Sequence, residues 1–275
     1  MNILEASDQR ISALLDHIHG KTLKKISLDD YWGIDTDGTD HDTQAWNSIL
    51  PYERTFKNIL APTKNFGELA EIRRSVGRTA YFLDLFGSGK SLAETGKTNG
   101  VLGIRSKDIV EADEQSKRPS WWNVIEGNIY DLYPGRNAEP LWTSISTYLE
   151  AQGISCFDFI VCRPLGPFEH EQNGDVSEKY HSEDYWNIYY QLLKRFYSIL
   201  SPNFGVLFTT VPYLRRALIV VPSVVEYLQR LGCECVVNEG DSYYPDRKDE
   251  VLRITKKPSS PLELPNNPEC IKRID

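Results

Sequence analysis

The sequence predicts an α/β fold, a doubly wound, mostly parallel seven-stranded sheet that ends in a C-terminal antiparallel hairpin. First, five short apolar runs alternate with segments of helical periodicity between residues 80 and 231. Second, the last two apolar runs follow each other with only a polar connection between them, which predicts an antiparallel pair. Third, residues 1–76 lack this alternation and predict a helical and irregular N-terminal accessory segment.

Length and composition are those of an ordinary globular protein. The chain has 275 residues, of which 40% are hydrophobic and 25% charged, enough for a sizeable core. The formal net charge of -8 gives no support to a nucleic-acid partner. The five cysteines are an odd number in a large chain, which indicates a reducing, cytoplasmic setting. No apolar stretch approaches the roughly 20 residues that span a bilayer, so we expect no membrane partner.

The accessory segment carries few signals. Apolar residues at helical spacing predict a helix over 11–18, whereas 29–65 is rich in aromatic and acidic residues without periodicity. The acidic stretch 35–42 contains carboxylates that suit a hard metal. Its glycine stands at the wrong position for a calcium loop, so a turn is the simpler interpretation and no metal site is predicted. Helical periodicity returns at 66–76 and ends at Gly77.

The stretch 80–92 is the first predicted strand and the turn that follows it. The apolar run contains Asp84 near its end, and Gly87 and Gly89 follow in a turn before a short predicted helix. Apolar runs bounded by glycine are typical of strands buried on both faces. Glycines after such a strand let a ligand approach the backbone closely, so the sequence predicts a small-molecule site here.

The rest of the chain continues the alternation of strands and helices. The further predicted strands are 100–104, 122–125, 156–162, 205–211, 233–237 and 250–255. The further predicted helices are 108–115, 141–149, 185–196 and 222–231. Cys233 and Cys235 alternate along one strand face, so we expect core packing and no metal there. The predicted units are the accessory segment 1–76, the sheet domain 77–257 and an extended or frayed C-terminal tail 258–275.

Five alternations followed by a hairpin resemble the Rossmann-like class I S-adenosylmethionine-dependent methyltransferases over residues 79–257. The segment 84–89, Asp-Leu-Phe-Gly-Ser-Gly, is similar to the family's first motif, whose acid organises a glycine turn under the methionine part of the cofactor. The resemblance implies S-adenosylmethionine as the cofactor. It also implies the following cofactor-binding residues: Asp84, Phe86, Gly87, Ser88, Gly89, Arg105, Asn128 and Ile129.

Three of these residues have roles that the resemblance specifies. Asn128, after the third strand, is implied to hydrogen-bond the adenine amino group, and Ile129 to pack on the ring. Arg105 stands at the end of the second strand, where the family usually has an acid that binds the ribose hydroxyls. The segment 163–166 departs from the Asn/Asp-Pro-Pro-aromatic signature of nitrogen-methylating members, so that subclass is disfavoured.

Catalytic residues are expected to be few, because positioning supplies most of the acceleration of methyl transfer from a sulfonium. A base is needed only where the methyl acceptor must lose a proton. Glu169, His170 and His181 lie in the loop after the fourth strand and are the candidate bases, although each also fits a solvated loop residue. The sequence identifies neither the acceptor nor an oligomeric state.

Two other functions stay open at this point. Residues 87–91 contain the Gly-Lys-Ser of a phosphate-binding P-loop, but Asp84 stands where that signature needs a glycine. A methyltransferase-like domain that has lost catalysis and serves as a binding or scaffolding module fits Arg105 and the shortened glycine turn. Affinity for the cofactor distinguishes this module from an enzyme.

Overall fold

The computed structural model describes residues 49–78, 80–85, 89–93, 95, 98–105, 120–127, 132, 139–162, 182–210, 220–241 and 248–266. Every structural statement below concerns these residues. The predicted helices 11–18 and 108–115 and the acidic stretch 35–42 lie outside them.

Strands and helices alternate along the described chain in the predicted order. The strands are β1 (Tyr81–Leu85), β2 (Gly100–Arg105), β3 (Trp122–Glu126), β4 (Phe159–Cys162), β5 (Gly205–Thr210), β6 (Glu234–Asp241) and β7 (Lys248–Lys256). The helices are α1 (Ile49–Phe56), α2 (Phe66–Ser75), α3 (Lys90–Ala93), α4 (Glu139–Ala151), α5 (Ser182–Ser198) and α6 (Val220–Arg230). None of these helices is both long and apolar enough to cross a bilayer.

The seven strands form one sheet in the order β3-β2-β1-β4-β5-β7-β6. Strands β1 to β5 are parallel to one another, whereas β7 runs antiparallel to both β5 and β6. The predicted mostly parallel, doubly wound sheet with a C-terminal antiparallel hairpin is therefore confirmed. The side on which successive strands are added changes at β1. Strand β2 pairs with one edge of β1, and β4 pairs with the other.

A hydrophobic layer covers each face of the sheet, as the apolar runs predict. Helices α4, α5 and α6 pack on the face that carries Leu83 and Leu85 of β1. Helices α1, α2 and α3 pack on the face that carries Phe82. All five side chains of β1 are buried, as are all those of the neighbouring strands β4 and β5.

Helices α1 and α2 come from the predicted accessory segment, yet they form a layer of the core. Phe56 and Phe66 are fully buried, and the Phe66 ring lies 5.3 Å from that of Phe208 in an edge-to-face contact. The Asn65 side chain caps α2 by accepting a hydrogen bond from the Glu68 amide at 2.7 Å. The boundary of the sheet domain at residue 77 stays a prediction.

Helix α1 and the loop after it are attached to the terminal hairpin. A Cβ atom added at Gly240 of β6 would lie 1.9 Å from the Thr55 carbonyl oxygen, so the two backbones are in direct contact. The Arg253 guanidinium of β7 donates hydrogen bonds to the carbonyl oxygens of Ile59, at 2.9 Å, and Ala61. The hairpin thereby fixes the position of α1 over the sheet.

The segment 257–266, here called the C-terminal strap, is held against α5. Lys256 is 2% exposed, and its ammonium donates to the carbonyl oxygens of Tyr197 at 3.1 Å and Leu262 at 2.7 Å. Leu264 is buried, and the Tyr190 hydroxyl donates to the Pro265 carbonyl at 2.9 Å. This part of the predicted tail begins with a turn, in which the Ser260 amide donates to the Lys257 carbonyl at 2.9 Å, and these contacts hold it against the fold.

Candidate functional site

The candidate site lies at the carboxyl end of β1. In open α/β sheets, ligands bind outside the carboxyl ends of the strands, at the point where the strand order reverses. That point in this sheet lies between β1 and β4. Side chains near the ends of these two strands are consequently the first candidates for binding.

Asp84, the fourth residue of β1, is a buried carboxylate with two donors. It is 1% exposed, and its Oδ2 atom accepts hydrogen bonds from the Tyr52 hydroxyl at 2.8 Å and from the Gly89 amide at 2.9 Å. Burial raises the pKa of Asp84 to about 7, while both hydrogen bonds act in the opposite direction. The carboxylate therefore ties the end of β1 to the turn that follows it.

Gly89 stands where no side chain fits. Its φ of +75° is in the left-handed region that favours glycine. An added Cβ atom would lie 2.7 Å from Cγ1 of Val101 and 3.3 Å from the amide nitrogen of Gly103, both on β2. The Gly89 carbonyl accepts the Ala93 amide at 2.9 Å, which starts α3. Gly89 is therefore packed tightly against β2 and linked by hydrogen bonds to β1 and α3.

Tyr52 is a site residue that the sequence analysis missed. It is 3% exposed in α1 and reaches Asp84 from 32 residues away along the chain. The only signal in the sequence is one aromatic residue among many in a stretch of weak periodicity. Such a signal does not predict which polar group the phenol meets.

A second buried polar group occupies the ends of β4 and β5 on the opposite face. Cys162 lies in register with Leu85 on one side and Thr209 on the other. The Thr209 hydroxyl donates to the Thr210 carbonyl at 2.9 Å and accepts a long hydrogen bond from the Tyr189 hydroxyl at 3.4 Å. Burial raises the pKa of Cys162 to about 12 and that of Tyr189 above its usual value, so both groups are neutral near pH 7.

The structure brings two of the predicted site residues together, Asp84 and Gly89. Arg105 is the last residue of β2, and its backbone pairs in register with Glu126 of β3. The remaining predicted residues lie outside the described part of the chain: Phe86, Gly87, Ser88, Asn128, Ile129, Glu169, His170 and His181.

The cysteines that the structure describes carry free thiols. Cys233 and Cys235 are both buried in the layer that contains α5 and α6, which confirms the predicted core packing. Among the described residues, no group of three or more His, Cys, Asp or Glu side chains is arranged to hold a metal ion.

The layout of the sheet decides the fold family. Five parallel strands alternate with helices, an antiparallel pair closes the sheet, and an acid near the end of the first strand holds a glycine turn. The fold is that of the class I methyltransferases. In this fold, the hydrogen bond from the Gly89 amide to Asp84 lies at the carboxyl end of the first strand.

Comparisons with known proteins are consistent with this fold. No family model matches the chain, and no curated protein matches it. The magnesium protoporphyrin IX methyltransferase of Synechocystis PCC 6803, solved with bound SAM, is 10% identical, with 90% of this chain and 97% of that chain covered and a TM-score of 0.44. The precorrin-6y C5,15-methyltransferase of Geobacter metallireducens GS-15 is 12% identical, with 69% and 89% covered and a TM-score of 0.35.

A third similar structure is the bifunctional kinase-methyltransferase WbdD. It is 13% identical and has a TM-score of 0.40, with 69% of this chain and 38% of that chain covered. This chain therefore spans less than half of the length of that protein. Because all three scores are low, the fold assignment rests on the order and directions of the strands.

Proposed function

We propose that the chain is an S-adenosylmethionine-dependent methyltransferase that binds its cofactor at the carboxyl end of β1. The observation that carries this proposal is the buried Asp84 carboxylate, which accepts the Gly89 amide at 2.9 Å. In the family that the sequence resembles, the acid at this position organises the turn under the cofactor. The hydrogen bond supplies a physical means for Asp84 to do the same.

The residues present suit this cofactor. When bound, S-adenosylmethionine supplies an electrophilic methyl group on a sulfonium. Asp84 and Gly89 hold the backbone turn, and a glycine turn lets a ligand approach the backbone closely. Phe86, Gly87 and Ser88 in the turn and Asn128 and Ile129 after β3 are the further proposed contacts. The chain's share of the catalysis is to bind the cofactor and orient it.

The same geometry argues against a phosphate-binding P-loop. Such loops present free backbone amides to the phosphates. Here the Gly89 amide already donates to Asp84, and the carboxylate would repel a phosphate. The helix that follows, α3, is only four residues long.

A non-catalytic methyltransferase-like binding module is the second candidate function. The observation that favours it is the position of Arg105 at the carboxyl end of β2, where the family usually carries a ribose-binding acid. A module of this kind would keep the fold and lose affinity for the cofactor. Affinity therefore distinguishes the two functions.

The test is calorimetric titration of the purified protein with S-adenosylhomocysteine, with ATP plus magnesium as the parallel control. We expect binding of the former alone, and loss of that binding in Asp84→Ala. Asp158→Ala is the matched control, because Asp158 is also buried and accepts the Tyr81 amide at 3.2 Å, at the opposite end of β1. If the folded wild-type protein does not bind S-adenosylhomocysteine, the binding module replaces the enzyme.

A further inference from the structure

We propose that Tyr52 is a positioning residue of the cofactor site, whose hydroxyl holds the Asp84 carboxyl group in the orientation that accepts the Gly89 amide. This inference rests on the proposed function. It assigns a role in cofactor binding to α1, which precedes the sheet in the sequence. The resemblance to the methyltransferases implies no such residue.

Both hydrogen bonds to Asp84 meet at one atom. The Tyr52 hydroxyl and the Gly89 amide donate to the same Oδ2 atom, at 2.8 and 2.9 Å. Two donors on one oxygen fix the rotation of the carboxylate, because turning it would break both bonds. The phenol therefore helps to present Oδ2 to the turn amide.

The phenol also stabilises the charge on Asp84. Within the described part of the chain, the groups that act on this carboxylate are the Tyr52 hydroxyl from α1, the Gly89 amide from the turn and the Cys162 thiol from β4. The thiol is neutral, and no cationic side chain among the described residues contributes. Of the described groups, the two that oppose the burial of the carboxylate are neutral donors, and one of them, Tyr52, is a side chain.

The helix that delivers Tyr52 is fixed to the rest of the fold. The contact between Thr55 and Gly240 and the hydrogen bond from Arg253 to the Ile59 carbonyl attach α1 and its following loop to the hairpin. Tyr52 itself is 3% exposed among the apolar side chains of this layer. A rigid, buried donor is what a positioning role requires, because it loses little conformational freedom when the bond forms.

The role has a pH signature that a purely structural tyrosine lacks. An ionised carboxylate accepts the turn amide better than a protonated one, so cofactor affinity should fall as the pH drops through the Asp84 pKa of about 7. Removing the Tyr52 hydroxyl takes away a bond that lowers this pKa. In Tyr52→Phe the affinity should therefore begin to fall at a higher pH than in the wild-type protein.

The experiment measures the affinity for S-adenosylhomocysteine by calorimetry between about pH 5.5 and pH 9, the range that brackets the Asp84 transition. The proteins are the full chain as wild type, Tyr52→Phe, Asp84→Asn, and the double variant. Tyr190→Phe is the matched control, since Tyr190 is a buried tyrosine whose hydroxyl donates to the Pro265 carbonyl far from the turn. Incorporation of 3-fluorotyrosine at position 52 gives a stronger donor with nearly unchanged packing.

We expect the midpoint of the affinity loss to move up by about one pH unit in Tyr52→Phe and down with the fluorinated residue. At about pH 6 the Tyr52→Phe protein should bind roughly tenfold more weakly than the wild type, as for a lost hydrogen bond to a charged group. Adding Tyr52→Phe to the Asp84→Asn protein should cause no midpoint shift. Tyr190→Phe should cause none in the otherwise wild-type protein.

Unchanged pH profiles in both position-52 proteins, with normal binding by the wild type, would overturn the positioning role and leave the proposed function standing. A shift of the same size in the Asp84→Asn background would also overturn it, because the effect would then not act through the carboxylate. Absence of binding by the folded wild type would overturn the proposed function and this inference together. If Tyr52→Phe does not fold, the fluorinated protein alone decides by the direction of its shift.

Discussion

At the scale of single residues, the balance around Asp84 determines the charge of the site. Burial disfavours the ionised form, and hydrogen bonds from Tyr52 and Gly89 favour it. Burial has the larger effect, since the pKa of Asp84 is raised to about 7. Burial therefore moves the pKa of this carboxyl group towards neutral pH, and the loss of either donor should raise that pKa further.

The first prediction concerns the pH dependence of stability. The folded-state pKa of Asp84 lies above its unfolded value, so the folded protein binds more protons than the unfolded one between about pH 4 and pH 7. The contribution of Asp84 to the free energy of unfolding is therefore complete below that range and is lost as the pH rises through it. In urea unfolding, the difference in unfolding free energy between Asp84→Asn and wild type should shift by about 1 to 3 kcal/mol in favour of the variant as the pH rises from about 5 to about 8.

The difference between the two proteins isolates Asp84. The pKa values of Glu53, Asp158 and Glu250 are also raised by burial, but these groups titrate in both proteins and cancel. Parallel curves of unfolding free energy against pH would contradict the raised pKa of Asp84.

The second prediction compares two glycines. Gly89→Ala should lower the unfolding free energy by about 2 kcal/mol more than Gly153→Ala, since both substitutions strain the backbone but only the first also meets close neighbours. Gly89 and Gly153 have φ values of +75° and +66°. An added Cβ atom meets Val101 at 2.7 Å in the first case and nothing within 4 Å in the second.

Urea unfolding of both variants measures this difference. Gly89→Ala should also weaken the binding of S-adenosylhomocysteine, because its turn lies in the proposed site, whereas Gly153→Ala should not. Equal losses of unfolding free energy in the two variants would contradict this prediction, because they would show that the surroundings of Gly89 rearrange to accept a methyl group.

At the scale of elements, α1 connects β1 to the C-terminal hairpin. Tyr52 on this helix reaches β1, and Thr55, less than one turn further on, touches Gly240 of β6. The two contacts make the position of the phenol depend on the hairpin. We therefore expect a change at the edge of the sheet to reach the candidate site through this helix.

The third prediction tests this connection. Gly240→Ala places a Cβ atom 1.9 Å from the Thr55 carbonyl oxygen, so α1 must move. We expect a loss of about 3 kcal/mol in unfolding free energy and weaker binding of S-adenosylhomocysteine, although Gly240 lies outside the proposed cofactor contacts.

Gly67→Ala is the matched control in the same layer. Gly67 lies in α2, and an added Cβ atom there meets only side-chain atoms, the nearest at 3.3 Å. This substitution should change the unfolding free energy by less than about 1 kcal/mol. Full cofactor affinity in Gly240→Ala would show that α1 does not transmit the change.

At the scale of the whole molecule, the C-terminal strap packs along α5. It follows directly on β7, whose last residue, Lys256, donates to the Tyr197 carbonyl of α5. The ammonium lies 4.5 Å from the centre of the Tyr197 ring, and the Tyr197 hydroxyl donates to the Pro261 carbonyl at 2.9 Å. The burial of Lys256 disfavours its charged form and lowers its pKa. The contacts with the Tyr197 ring and the two carbonyl oxygens stabilise the charged form and so act against the effect of burial.

The fourth prediction uses two neighbouring lysines. Lys256→Met leaves the carbonyl oxygens of Tyr197 and Leu262 without a donor and should cost about 2 kcal/mol. Lys257→Met removes only a half-exposed ion pair with Glu234, at 2.8 Å, and should cost less than about 1 kcal/mol.

Hydrogen exchange of the strap distinguishes the two variants locally. Exchange in 257–266 should accelerate in Lys256→Met and stay near the wild-type rate in Lys257→Met. The same rates in both variants would show that the strap is held by its apolar and tyrosine contacts alone.

Local patterns predicted the elements of this fold well. Each described strand and helix after residue 65 lies where an apolar run or a helical period placed it. Strand β4 starts at Phe159 and not at Cys156, because Phe157 forms only an isolated bridge to Leu200 and the Asp158 side chain accepts the Tyr81 amide. Strand ends depend on such single contacts, which periodicity does not encode.

Two of the three hydrogen-bonded residues of the described candidate site were also predictable. Asp84 and Gly89 belong to one short motif, so the sequence places them together. Tyr52 does not, because its partner lies 32 residues away and its helix is positioned by Gly240, near the other end of the chain. Docking of this kind depends on the finished tertiary structure.

The attachment of α1 to the hairpin has a consequence for the order of events during synthesis. Tyr52 and Asp84 leave the ribosome before Gly240 and Arg253 do. Long-range contacts form only when both partners are present. The position of Tyr52 beside Asp84 is therefore fixed only after β6 and β7 have been made, and a nascent chain that stops before residue 240 lacks the contact that holds α1 over the sheet.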